Sequence, residues 1–153
     1  MNTPRDYFDS VTQCMITFQH IEEGMKMVLA RLELLTCLRL KGYTHYDSNP
    51  RCQAIQNAAM GRLLDMLKVY VDDPELISNL KKIKKSRDEV AHQSLLLTIE
   101  ETKDKEQIHE KTSNMDELNE FAMAVLMRLL EHWKDLDKTL NKLMAEPGSS
   151  GNG

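Results

Sequence analysis

The sequence predicts an all-α protein, a bundle of four to five helices with up-down connections and a long first helix. Three observations carry that expectation. Apolar residues recur at spacings of three and four over long stretches, the period that puts them on one face of a helix. Three of the prolines, Pro4, Pro50 and Pro74, follow a Thr, an Asn and an Asp, the pairing of an N-cap with proline at the first helical position. Glycine is sparse, 6 in 153 residues, and no segment alternates apolar and polar residues as a half-buried strand does.

The first helix starts at Thr3-Pro4-Arg5-Asp6, with a carboxylate in its first turn. Its stripe is Val11, Cys14, Phe18, Ile21, Met25, Val28, Leu32 and Leu35, and Lys41-Gly42 closes it with a cation and a C-cap glycine. At 1.5 Å per residue such a helix is about 57 Å long. It outruns an ordinary core helix, so it is expected to kink near Gly24 or to project into a partner. Residues 42–50 form a loop, after which Asn49 caps a second helix carrying Ile55, Ala59, Leu63, Met66 and Tyr70 on one face. Gly61 inside that helix costs about 1 kcal/mol relative to Ala, which a close helix crossing would explain. Asp73-Pro74 opens a third helix with the stripe Leu76, Leu80, Ile83, Arg87, Val90, Ser94 and Leu97. The pattern fails over residues 99–113, which read as a solvated loop or a polar helix extension. Ser113-Asn114 with Asp116-Glu117 resembles a capping box and is expected to begin the last helix, lined by Leu118, Ala122, Val125, Leu129, Leu136, Leu140 and Leu143.

The length suits one domain, residues 1–145, followed by a flexible tail over 146–153. The 10 methionines suit adaptable core or interface packing, and with the long first helix they suggest a homodimer. Net charge is −4, so no global basic field draws nucleic acid, and any polyanion site must be local. Cys14, Cys37 and Cys52 form no C-x-x-C pair; with no secretory signal in view, reduced thiols and a cytoplasmic location are expected. No apolar run approaches the roughly 18 residues of a membrane span, so no membrane partner is expected. No P-loop, dinucleotide fingerprint or zinc spacing is present.

One run concentrates the chemistry: Lys81-Lys82-Ile83-Lys84-Lys85-Ser86-Arg87-Asp88-Glu89-Val90-Ala91-His92. Arg87 occupies a stripe position where an apolar residue is expected, and a guanidinium there needs an anion or an outward path. A core carboxylate, a snorkelling side chain or an anionic ligand each satisfies that need. His92 lies about 140° around the helix from Arg87, on a neighbouring flank. Asp88 and His92 are four residues apart and share a face, so the aspartate can orient the imidazole or form a plain surface pair with it. Lys81, Lys82, Lys84 and Lys85 form either a solvated basic face or a phosphate-neutralising one.

The run Ser86-Arg87-Asp88-Glu89-Val90-Ala91-His92 resembles the R-x4–6-H motif of HEPN domains (higher eukaryotes and prokaryotes nucleotide-binding), small helical bundles in which Asn, His or Asp commonly follows the arginine. The helical layout extends the resemblance over roughly residues 4–144. Arg39 and His45 also satisfy the loose spacing, but they straddle the Gly42 helix end and Leu40 follows the arginine. The resemblance implies a HEPN-like fold and a metal-independent endoribonuclease without cofactor, acting on RNA as a homodimer with two motifs facing across a cleft. It implies catalytic roles for Arg87, Asp88 and His92: His92 as general acid or base, Arg87 stabilising the charged phosphorane-like transition state, Asp88 orienting its neighbours. It implies RNA binding by Lys81, Lys82, Lys84 and Lys85, and a role as a toxin or phage-defence effector with an antitoxin or regulatory protein as a further partner. Some HEPN toxins carry a tyrosine two residues after the histidine, which a paired nucleotidyltransferase modifies; Ser94 stands there, so that control is not expected.

Two other readings compete. A non-catalytic HEPN-like dimer would bind a nucleotide or a protein partner. A di-iron carboxylate bundle would use Glu89-x-x-His92 and Glu106-x-x-His109, though the second falls in the stripe-free segment and the two lie close in sequence. His20, His109 and His132 form no catalytic arrangement, and Trp133 and Phe121 read as core or interface residues rather than base-stacking platforms.

Overall fold

The computed structural model describes residues 2–93, 97 and 99–146; Ser94 of the third stripe and the tail expected beyond Glu146 lie outside them. Five α-helices build the fold: α1 (Pro4–Leu40), α2 (Asn49–Gln56), α3 (Met60–Tyr70), α4 (Pro74–Gln93) and α5 (Lys105–Ala145), with a 3-10 turn at Glu101–Lys103 and no strand among the described residues. The expected all-α bundle is what forms.

α1 begins as expected. The Thr3 backbone N–H donates to Asp6 Oδ2 at 2.6 Å and the Asp6 N–H to Thr3 Oγ1 at 3.3 Å, a complete capping box. These hydrogen bonds hold the Asp6 carboxyl below its usual range. The helix ends at Leu40 with Lys41 as cap, and Gly42 takes the left-handed conformation, φ 90°, that glycine adopts without steric cost. α1 is one continuous helix of 37 residues, with no break in the helix at Gly24.

The segment expected as one second helix is two. Ser48, not Asn49, occupies the cap position of α2, and the Asn49 N–H donates to Asp47 Oδ1 at 3.0 Å. The helix stops at Gln56, and Ala59 is extended (φ −74°, ψ 162°) before α3 resumes. The interruption resets the helical phase. A continuous helix would point Ala59 and Tyr70 inward; the observed one buries Met60, Leu63, Leu64, Met66 and Leu67 and leaves Ala59 and Tyr70 exposed. A Cβ at Gly61 would come within 2.9 Å of Lys84 Cε, so the close approach there is by a lysine stem of α4 rather than by a crossing backbone.

The last helix starts earlier than expected, at Lys105 rather than near Ser113. Asp104 caps it, accepting from the N–H groups of Glu106 (3.0 Å) and Gln107 (3.2 Å). Ile108 and Thr112 are buried and Met115 packs against the core, so the stripe continues through a segment whose surface is mostly charged. Thr112 fits inside because its hydroxyl donates to the Ile108 carbonyl at 2.7 Å. The ambiguous polar segment is therefore helix from residue 105 onward.

α1 and α5 form the largest interface and run parallel. Along them Ser10 donates to Asp116 (2.6 Å), Thr17 to Asn119 (2.7 Å), and Arg31 faces Asp137 (3.3 Å) with its guanidinium 5.4 Å from the Trp133 ring centroid. Between these polar rungs Phe18, Ile21, Met25, Val28, Ala122, Val125 and Leu129 are buried. Gly24 marks the closest approach: a Cβ there would lie 2.9 Å from Leu129 Cδ2 and 3.6 Å from Leu126 Cδ1. Trp133 and Phe121 pack partly buried against the core, as the sequence implied.

Because Leu129 is fully buried, it cannot swing aside to admit a methyl group. Leu129→Ala should lose about 2–5 kcal/mol in urea unfolding. Gly24→Ala alone should gain nothing despite its helix propensity, but in the Leu129→Ala background it should restore about 1 kcal/mol by filling the space. Additive single and double mutants would contradict this packing.

Candidate functional site

The basic run and its arginine lie on α4, whose start is held firmly. Asp73 Oδ1 accepts the Leu76 N–H at 3.0 Å and Pro74 takes the first helical position. Leu76, Leu80, Ile83 and Val90 are buried, so the expected stripe faces the core, and Leu97 packs against it farther on. Arg87 sits on that stripe one turn after Ile83. Its side chain is 35% exposed and its Nη2 lies 3.5 Å from Glu22 Oε2 of α1, itself 21% exposed. The need for an anion at this position is met by a carboxylate within the bundle. The other oxygen of Glu22 lies 3.7 Å from Lys26 Nζ, which places that carboxylate between two cations.

Asp88 and His92 are not brought together. The Asp88 carboxylate accepts from Lys84 Nζ at 3.2 Å, one turn upstream, and this pair replaces the expected contact one turn downstream. The reason is local: both i−4 and i+4 neighbours of Asp88 are within reach, and a lysine ammonium offers a full charge with three donors. His92 is exposed in the last turn of α4 and makes no hydrogen bond to another described residue. Lys81, Lys82 and Lys85 are exposed and Lys84 is half-buried, its stem lying over Gly61; Lys85 faces Glu89 at 3.9 Å. The lysines thus form a solvent-facing basic surface whose charge Asp88 and Glu89 offset in part.

A second polar cluster had no clear sequence signal. Asp73 is buried, and its Oδ2 accepts from Arg128 Nε at 2.9 Å and lies 2.8 Å from His132 Nε2. Arg128 Nη1 also donates to Glu131 at 3.0 Å. The hydrogen bond with His132, the backbone N–H of Leu76 and Arg128 together hold the Asp73 carboxyl down at about 2. This junction clamps the start of α4 to the middle of α5. Beside it a cleft of about 230 Å³ opens between the two helices, lined by Leu76, Asn79, Phe121, Val125 and Arg128. The i, i+4 spacing of Arg128 and His132 shows that they share a flank, but nothing in the sequence selects Asp73 as their partner.

The remaining sequence candidates stay apart. Among the described residues no three His, Cys, Asp or Glu side chains approach closely enough to hold a metal ion, and Glu106 and His109 lie exposed near the start of α5. Arg39 lies in the last turn of α1 while His45 is exposed in the following loop. All three cysteines are free thiols; burial and, secondarily, the nearby Asp116 push the Cys14 thiol up to about 11, which makes it a poor nucleophile. No described helix is long and apolar enough to cross a membrane.

Compared with known proteins, the chain matches no family model, no curated protein and no solved structure.

The Asp73 junction has a pH signature. Its folded pKa lies below the ordinary 3.8, so as pH falls the unfolded chain takes up the proton first. The stabilisation is fully present above about pH 4 and is lost as pH falls through about 2. Asp73→Asn keeps an N-cap acceptor but removes the charge, and its stability should vary less with pH across that window than that of the wild type. Asp73→Ala should lose at least about 1 kcal/mol more at pH 7, from the cap alone. Urea unfolding at several pH values measures both, and an unchanged slope in Asp73→Asn would contradict the assignment.

Proposed function

We propose that this protein is a HEPN-type, metal-independent endoribonuclease acting as a homodimer, with the α4 run as its centre. The observation that carries the reading is the placement of Arg87 and His92 on one continuous helix, the imidazole exposed and the guanidinium at the bundle surface. Upstream, Lys81, Lys82, Lys84 and Lys85 supply a local positive surface in a chain of net charge −4.

The chemistry follows from these groups. The ribose 2′-oxygen attacks phosphorus, the P–O5′ bond breaks, and a 2′,3′-cyclic phosphate and a free 5′-hydroxyl result. One proton leaves the 2′-hydroxyl and one is delivered to the 5′-oxygen. His92 serves as the base or the acid, and a second copy facing it supplies the complementary role. Arg87, a planar fork of N–H donors, stabilises the charge that grows on the non-bridging oxygens. Asp88, held by Lys84, acts on the basic surface rather than on the imidazole. A role as a toxin or phage-defence effector, with an antitoxin or regulatory partner, rests on the family resemblance alone.

A second reading has its own support. Arg87 is paired by Glu22 and Asp88 by Lys84, and no described carboxylate orients His92. A helical dimer that binds nucleotides without cleaving them would have this appearance.

Purified protein incubated with RNA in excess EDTA should yield fragments ending in 2′,3′-cyclic phosphate. Arg87→Ala and His92→Ala should each cleave about 100-fold more slowly or worse. Equal cleavage by all three proteins would remove the nuclease reading. Nucleotide binding by calorimetry without RNA turnover would favour the binding module.

A further inference from the structure

The ion pair between α1 and α4 bears on how the proposed site would take a phosphate, and its role there rests on the ribonuclease reading. Arg87 is the only stripe residue of α4 between Leu76 and Val90 that carries a charge, and among the described residues its ion-pair partner is Glu22, at 3.5 Å. That distance is an ion pair rather than a well-formed hydrogen bond. It engages one terminal nitrogen, whereas a phosphodiester can be gripped by two N–H groups at hydrogen-bonding distance. Both side chains are partly exposed, so the pair is reachable from solvent. Glu22 would not be left uncompensated if the guanidinium turned away, because Lys26 already lies 3.7 Å from its other oxygen.

We propose that Glu22 is a displaceable internal anion: it holds Arg87 on the bundle surface in the resting protein, and an RNA phosphodiester exchanges with it for the guanidinium while Lys26 retains the released carboxylate. Glu22 is thus a positioning residue that acts through Arg87. It lets an arginine occupy an apolar stripe before any ligand arrives. Its negative charge also opposes the approach of phosphate, and this limits the affinity of the site.

The test is binding rather than cleavage. A fluorescent 2′-O-methyl RNA oligonucleotide has no free 2′-hydroxyl and cannot undergo the attack, so anisotropy titration reads affinity alone. Glu22→Gln, of the same shape without the charge, should bind this probe about fivefold more tightly than wild type at low salt. Glu23→Gln makes the same change in net charge on an exposed neighbour that pairs with Lys26 at 3.1 Å, and should change affinity less than about twofold. In an Arg87→Ala background most of the gain from Glu22→Gln should disappear. Wild-type protein that binds the probe, with Glu22→Gln binding no tighter or Glu23→Gln gaining as much, overturns the exchange and leaves the ribonuclease reading standing. Wild-type protein that binds no RNA at all overturns both.

Discussion

The parallel packing of α1 against α5 sets the frame on which the other helices are placed. Two helices of 37 and 41 residues can stay in contact over most of their length only if they approach closely and keep register. Gly24 supplies the close approach, with Leu129 and Leu126 lying where its side chain would be. The rungs Ser10–Asp116, Thr17–Asn119 and Arg31–Asp137 supply the register, since each pairs residues close to a constant offset. Sliding one helix by a turn would break all three and bring Leu129 against a residue that has a Cβ.

α4 is then positioned across this pair by two polar links of different character. At its start Asp73 combines a helix cap with contacts of 2.9 and 2.8 Å to Arg128 and His132 of α5, so one buried carboxylate meets three groups at hydrogen-bonding distance. Farther along, Arg87 meets Glu22 of α1 through a looser, partly exposed contact. The firm link fixes where α4 begins, and the loose one falls where the proposed chemistry occurs.

The functional reading depends on local rather than global electrostatics. A chain of net charge −4 gains little long-range attraction for RNA, so in the proposed function the lysines before Arg87 would act only at short range. Asp88 belongs to this surface by virtue of its bond to Lys84, and so the motif resolves into an arginine held by α1, an aspartate held by a lysine and an imidazole left open.

Caps and periodicity act within a turn or two of chain, so the helical class, the capped starts of α1 and α4, and the inward stripes of these two helices were legible in the residues alone. The sequence also singled out Arg87 as a charge in an apolar position. The remaining features come from contacts between helices. Nothing local announced the break at residues 57–59, which exists because α3 must bury Leu64 and Leu67 in a phase that α2 could not continue. The extension of α5 back to Lys105 is supported by burial of Ile108 and Thr112 against the bundle, too few apolar positions to register among charges. Glu22 as the partner of Arg87, and Arg128 with His132 as partners of Asp73, join residues 55 or more positions apart. A pattern of residues shows which face a charge lies on, but the choice of its partner among 24 acids belongs to the packing of one helix on another.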